Sequence, residues 1–172
     1  DIDFAREAAA AGMGAIVLKA HHSMTPVRAH LAEKVAGIRV FGGLTLGQHT
    51  GGLNPIAVDT ALKLGARLIW MPTRDTRHHQ QYFTSGPFAV KSADGGITIF
   101  DGDGKVRRDV VEIVDLVARA DAVLSTSHLS PAESLELVKL AGERGLRRMV
   151  VTHPDIHFIR MPLEIQRECI RH

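Results

Sequence analysis

Three times in 172 residues the chain repeats one unit: a short β-branched run, a polar loop, a side-chain oxygen followed by proline, and a helical stretch. "GAIVLK" (14–19) leads through Thr25-Pro26 into a helix ending near Val35. "IRVFGGLTL" (38–46) leads through Asn54-Pro55 into a helix ending at Leu64, and "DAVLST" (121–126) through Ser130-Pro131 into one ending near Arg144. The pairs have a physical meaning. The Thr, Asn or Ser oxygen caps orphan helix N–H groups, and proline stands at the first helical position, where a missing N–H costs nothing. Glu133, three residues after Ser130, completes a capping box. Gly37, Gly65 and Gly145 suit the left-handed residue that follows each helix.

Two further runs, "RLIWMP" (67–72) and "RRMVVTH" (147–153), bring the strands to five. Apolar strands joined by helical crossovers require a parallel sheet with helices packed outside it. Two architectures satisfy that pattern, an open doubly wound sheet and a (β/α)8 TIM-type barrel, and in both the active site forms from loops at the strands' C-terminal ends. The expectation is a single domain over 1–172, interrupted by an insertion at about 73–108. Its first half, "TRDTRHHQQYFTSGPF", suits a lid or substrate loop or, equally, a disordered insertion; its second, "GGITIFDGDGKVRRD", suits a hairpin about an Asp-Gly turn. A calcium loop from Asp101 to Glu112 is rejected, because Lys105 and Val106 stand where a ligand and an obligatory glycine belong. The chain opens on "DIDFAREAAAAGMG" and closes on "PLEIQRECIRH", both helical in pattern. The first and last strands of a barrel are therefore expected outside this stretch.

Composition narrows the function. A formal charge of +2 gives no pull toward nucleic acid or an anionic membrane, and no apolar run approaches the length of a membrane span. One cysteine excludes an intrachain disulfide and fits a cytoplasmic protein. The expected partner is a small-molecule substrate, with a homo-oligomer left open. The unusual feature is the 10 histidines.

Several of them end strands. His21 and His22 follow the first run, His128 the fourth and His153 the fifth. Neighbouring parallel strands lie about 4.8 Å apart, so side chains just past adjacent ends can reach one ion. His21, His128 and His153 are the candidate metal ligands. Lys19 closes an otherwise apolar strand; it reads as a salt-bridged lysine, a Schiff-base nucleophile or a cation that stabilises an anion during catalysis, and the last is preferred. Asp155 is the acid placed to take a proton or to orient a histidine. His22, His49, Asn54, Thr73 and His78 stand in loops at the same ends and are candidates for holding the substrate. "GQHTGGLNP" reads either as a tight turn or as a backbone N–H cradle for an anion.

"STSHLSP" and "VVTHPD" resemble the fifth and sixth strand endings of the amidohydrolase superfamily. The longer stretches "AIVLKAHHSMTP", "GGLTLGQHTGGLNPIAV", "GARLIWMPTRD" and "LSTSHLSPAESLELVKLAGERGLRRMVVTHP" are similar to a bacterial group of amidohydrolase-like proteins of the DUF6282 type. The resemblance implies a (β/α)8 barrel and hydrolysis of a small amide, lactone or ester by water activated on one or two divalent ions, zinc by preference. A decarboxylase on the same barrel, or a non-catalytic binding barrel, are the alternatives. Residue by residue, only His128 and His153 carry over. Lys19 and His21 have a looser parallel in the Asp-His ending of the polymerase-and-histidinol-phosphatase type of barrel. The superfamily's His-x-His pair occurs nowhere in the chain, and its bridging lysine or glutamate is replaced by "WMPTRD", where Thr73 and Asp75 are the nearest candidates.

Overall fold

The computed structural model describes all 172 residues. Strands β1 (Ala15–Leu18), β2 (Arg39–Thr45), β3 (Ala66–Trp70), β4 (Val123–Ser125) and β5 (Met149–Val150) form one sheet in the order β1-β2-β3-β4-β5, every pair parallel. A doubly wound sheet reverses its order at a switch point; these five strands follow chain order throughout, with β1 and β5 at the two ends. β5 is two residues long, shorter than the expected run over 147–153. Beyond it the chain is held to β4 by side chains: Thr152 N–H donates to Thr126 Oγ1 (3.1 Å), and the Ser125 and Thr152 hydroxyls are hydrogen-bonded.

Helices α1 (Ile2–Ala10), α2 (Pro26–Ala36), α3 (Pro55–Lys63), α4 (Arg77–Tyr82), α5 (Arg108–Arg119), α6 (Pro131–Glu143) and α7 (Leu163–Cys169) complete the structure. Two of the three expected caps form. Asn54 Oδ1 accepts from Ile56 and Ala57, and Ser130 and Glu133 make the reciprocal capping box. Thr25 differs: it makes no cap bond. Its buried hydroxyl donates to the Leu18 carbonyl (2.7 Å) and accepts the Gly43 N–H (2.8 Å), tying β1 to β2. Its backbone lies in the helical region (ψ -1°), not in the extended one that Asn54 and Ser130 take and that a capping side chain needs. Gly37, Gly65 and Gly145 take positive φ as expected. α5, which the sequence reading left unassigned, earns its place through a buried stripe of Val110, Ile113, Val114 and Val117 at helical spacing.

The sheet's two faces differ. On one, the row Leu44–Ile69–Leu124 is fully buried within a core that includes residues of α3, α5 and α6. On the other, Val17 pairs with Phe41 and Leu68 with Val123, and no helix core covers them; Val17 is 44% and Val150 46% exposed.

The insertion is tied down at both ends. Thr76 caps α4, Ile97 bridges to Thr76, and Ile99 is buried in the main core. Glu133 is the anchor. One carboxylate oxygen accepts from the Thr98 hydroxyl (2.6 Å) and Ile99 N–H, the other from Ser130. The expected hairpin is reduced to a tight turn, with one antiparallel bridge, Phe100 to Val106, and Asp101 Oδ1 accepting from Asp103 and Lys105.

Candidate functional site

At the C-terminal ends of the strands lies a cavity of about 280 Å³. It is lined by Lys19, His21, Arg74, His79, Phe83, Phe88, His128, His153, Ile156, His157 and Phe158. The loop after β1 delivers Lys19 and His21, the loop after β3 delivers Arg74, α4 delivers His79, the segment after α4 delivers Phe83 and Phe88, and the loops after β4 and β5 deliver the rest. Five of the 10 histidines line it and no Asp or Glu does.

His128 is the most constrained of these residues. Its backbone N–H donates to the Pro72 carbonyl, and its own carbonyl accepts from the Thr76 hydroxyl (3.0 Å). Ser127 before it and His153 both hold positive φ, 52° and 53°. Non-glycine residues take that region at a cost of order 1–3 kcal/mol, and such residues concentrate at ligand sites. Ser127 N–H is held by Thr152 Oγ1, so the two strained turns brace each other.

The imidazoles are linked in a defined order. His79 Nε2 lies 3.0 Å from the Phe88 carbonyl, which can only accept, so Nε2 carries the proton. His79 Nδ1 is then the bare nitrogen, and His128 Nδ1, 3.2 Å away, must donate to it. The Nε2 lone pair of His128 is left free. The two rings stack at 5.1 Å, and His128 stands 5.9 Å from His153, centroid to centroid. Burial, followed by the charges of His79, Lys19, His153 and His21, pushes the His128 pKa down to about 3. Burial also lowers His21, with Lys19, Arg74 and His22 adding to the effect and Asp75 opposing it. His79 is lowered first by burial, against the opposing hydrogen bond to Phe88. The Lys19 ammonium is lowered by desolvation and sits 5.3 Å over the Trp70 ring.

The candidates from the sequence divide into two groups. Lys19, His21, His128 and His153 share the cavity, and Thr73 supports it: its Oγ1 lies 3.0 Å from His21 Nδ1, leaving His21 Nε2 for a ligand. The others stand outside. Asp155 is exposed and accepts from Gln166 Nε2 (2.9 Å). His22 packs edge-on against His49 at 4.3 Å. Asn54 caps α3, and His78 Nε2 bonds the Phe158 carbonyl (2.7 Å). "GQHTGGLNP" takes the form of a closed turn: Gln48 N–H goes to Asp75, Gly47 N–H to Thr45 and Thr50, and Gly52 N–H to the Gly47 carbonyl. The N–H groups of Gly47, Gln48, Thr50, Gly51 and Gly52 are thereby taken within the protein, which is the tight turn rather than the anion cradle.

His79, Arg74, His157 and the three phenylalanines were not singled out in the sequence. His78 and His79 are adjacent on a helix, so only one can face the pocket. Which one does depends on the helix's buried face, and His79 is 3% exposed.

Neutral imidazoles with an oriented second nitrogen are the donor type that zinc prefers. Convergence is incomplete: no three His, Cys, Asp or Glu side chains come together to hold a metal ion. His128 and His153, the two strand-end histidines of neighbouring strands, stand 5.9 Å apart ring to ring.

The chain is an α/β protein with a parallel sheet in chain order and a cationic, histidine-lined pocket at the strands' C-terminal ends. The chain belongs to the DUF6282 family, a family of unknown function, which it matches over residues 1–172. No curated protein matches it. No helix is long and apolar enough to cross a membrane.

Proposed function

We propose that this protein is a metal-dependent hydrolase of the amidohydrolase type, acting on a small amide, lactone or ester, and that its five strands are part of a (β/α)8 barrel. The observation that carries the catalytic reading is the His79–His128 hydrogen bond, which leaves a bare, neutral Nε2 on His128. A nitrogen with a pKa near 3 is a poor proton acceptor at neutral pH, but its lone pair is fully available to a Lewis acid. The barrel reading is supported by the uncovered sheet face, where Val17, Phe41, Leu68 and Val123 stand as interior residues of a closed barrel would.

A divalent ion, when bound, supplies Lewis acidity and a water of pKa near 7 instead of 15.7. His128 Nε2 and His153 would hold it, with His21 Nε2 the third imidazole of the pocket. His79 fixes the tautomer of His128, and Thr73 orients His21. Lys19 gives the pocket a positive charge that stabilises an anionic group of the substrate. Phe83, Phe158 and Ile156 give the pocket an apolar wall. A binding barrel without chemistry is the second reading, favoured by the missing three-ligand set.

The test is metal analysis of the full-length protein together with hydrolysis of a panel of esters, lactones and amides before and after chelation. One or two ions per chain, chelator-sensitive turnover, and loss of both in His128→Asn and His153→Asn with circular dichroism unchanged are expected. Metal-free protein that binds ligands without turnover leaves the second reading.

A further inference from the structure

The cavity's charge is unbalanced: Lys19 and Arg74 line it and no carboxylate does. Of the ion pairs in the structure, none involves Lys19 or Arg74. Both cations are instead positioned by aromatic faces, Lys19 over Trp70 at 5.3 Å and Arg74 over Phe88 at 5.5 Å. A ring face steadies a cation without neutralising it. Asp75, next in sequence to Arg74, is turned away onto the Gln48 N–H. In the groove beside α5, by contrast, Arg107 is paired with Asp109 at 2.6 Å. The cavity on the uncovered sheet face pairs Arg148 with Asp121 at 2.9 Å; it also holds Arg39 and Arg67 but has no aromatic wall beyond Phe41.

The rest of the wall is aromatic. Phe83 and Phe158 stand 5.4 Å apart, Phe83 and Phe88 5.8 Å, and Phe158 meets the His128 ring at 4.9 Å. Three phenyl rings surrounding two unpaired cations fit a ligand with one flat apolar body and one negative group. The volume of about 280 Å³ sits at the lower end for ligand pockets, and holds about a single ring with its substituents. Phosphate sites ordinarily add a nest of free backbone N–H groups at a helix start. Here Asn54 takes the Ile56 and Ala57 N–H groups, Ser130 takes that of Glu133, and the turn after β2 takes those of Gly47, Gln48, Thr50, Gly51 and Gly52.

We infer that the substrate is a small aromatic carboxylate, its carboxylate held by Lys19 and Arg74 and its ring by Phe83, Phe88 and Phe158. This rests on the same site as the proposed hydrolysis and names the substrate class for it: an aryl amide, lactone or ester that also bears a free carboxylate. A carboxylate between the two cations leaves the susceptible bond beside the imidazoles.

The test is titration calorimetry of the full-length, chelator-treated protein with benzoate, benzamide, acetate and phenyl phosphate. Benzoate is expected to bind, with benzamide and acetate each weaker by about tenfold or more, as the loss of a charged hydrogen bond or of ring burial requires. Lys19→Met and Arg74→Met should each weaken benzoate about 10- to 100-fold while leaving circular dichroism unchanged. Arg74→Lys should recover part of the loss. Phe88→Leu should weaken benzoate more than acetate. Equal binding of benzoate and benzamide, indifference to both methionine variants, or a clear preference for phenyl phosphate would overturn the inference. Chelation separates the two ideas. Benzoate binding that depends on Lys19 and Arg74, in a protein without metal or turnover, leaves this inference standing and removes the hydrolase. Turnover of neutral esters with no preference for carboxylates does the reverse.

Discussion

The Nδ1 atoms of His79 and His128 lie 3.2 Å apart, and only one of them carries a proton. Two bare nitrogens would have nothing to share, and two N–H groups would collide. The Phe88 carbonyl decides between the remaining arrangements by claiming the proton on His79 Nε2.

His79→Phe removes the acceptor and leaves the His128 Nδ1–H without its partner. The His128 ring should then lose its single tautomer. Nitrogen-15 NMR of the wild-type protein should show His128 protonated at Nδ1 alone, and the variant a mixture. A wild-type His128 protonated at Nε2 would contradict the hydrogen-bond order and the free lone pair with it.

Gly43 lies where the sheet passes under Trp70. A Cβ there would stand 2.2 Å from the Leu68 carbonyl oxygen and 2.5 Å from Trp70 Cζ3. The carbonyl is backbone and cannot give way, so Gly43→Ala should cost about 2–4 kcal/mol. It should also displace the indole on which Lys19 rests. Trp70 is the only tryptophan, so its emission reports this directly. An unshifted spectrum with an unchanged melting temperature would show that the strands can part at no cost.

Glu133 holds the insertion to α6 through the Thr98 hydroxyl and the Ile99 N–H. Glu133→Ala leaves those buried donors unpaired and also removes half of the capping box, a loss of about 2–4 kcal/mol. Limited proteolysis should then cut within 90–107 while α6 and the strands stay protected. Cleavage no faster than in the wild type would mean that Ile99 packing alone secures the segment.

The order of strands and helices is legible because its signals are local. The Asn54-Pro55 and Ser130-Pro131 pairs mark helix starts by chemistry that acts within three residues, and the β-branched runs mark strands whatever surrounds them. Thr25-Pro26 carries the same local signal, yet its hydroxyl was taken by Leu18 and Gly43, partners 7 and 18 residues away. Long-range competition of that kind cannot be read from spacing. The site divides along the same line. Lys19, His21, His128 and His153 were visible because strand ends are visible. His79 and Arg74 come from the insertion, whose path depends on Glu133 and Ile99. His22, His49 and Asn54 share the strand-end loops but not the cavity, since a loop residue's direction is set by contacts that a linear pattern does not contain.

The depressed pKa of His128 makes stability depend on pH, and the sign is fixed. In the folded protein the ring stays neutral down to about pH 3, while in the unfolded chain it protonates near its ordinary 6.5. Below 6.5 the unfolded state therefore binds the extra proton, and stability falls as the pH drops toward 3. Each pKa unit corresponds to about 1.4 kcal/mol, and the opening of the pocket to solvent reduces the total to an effect on the order of 2–4 kcal/mol. His21 and His79 are lowered as well and steepen the same slope. Denaturant unfolding of chelator-treated protein between pH 7 and 4 measures it. His128→Asn should flatten the acid side of the profile while changing stability at pH 7 far less. A variant with the wild-type slope would show that His128 is not held neutral by its surroundings, and its readiness to donate a lone pair at neutral pH would lose its physical basis.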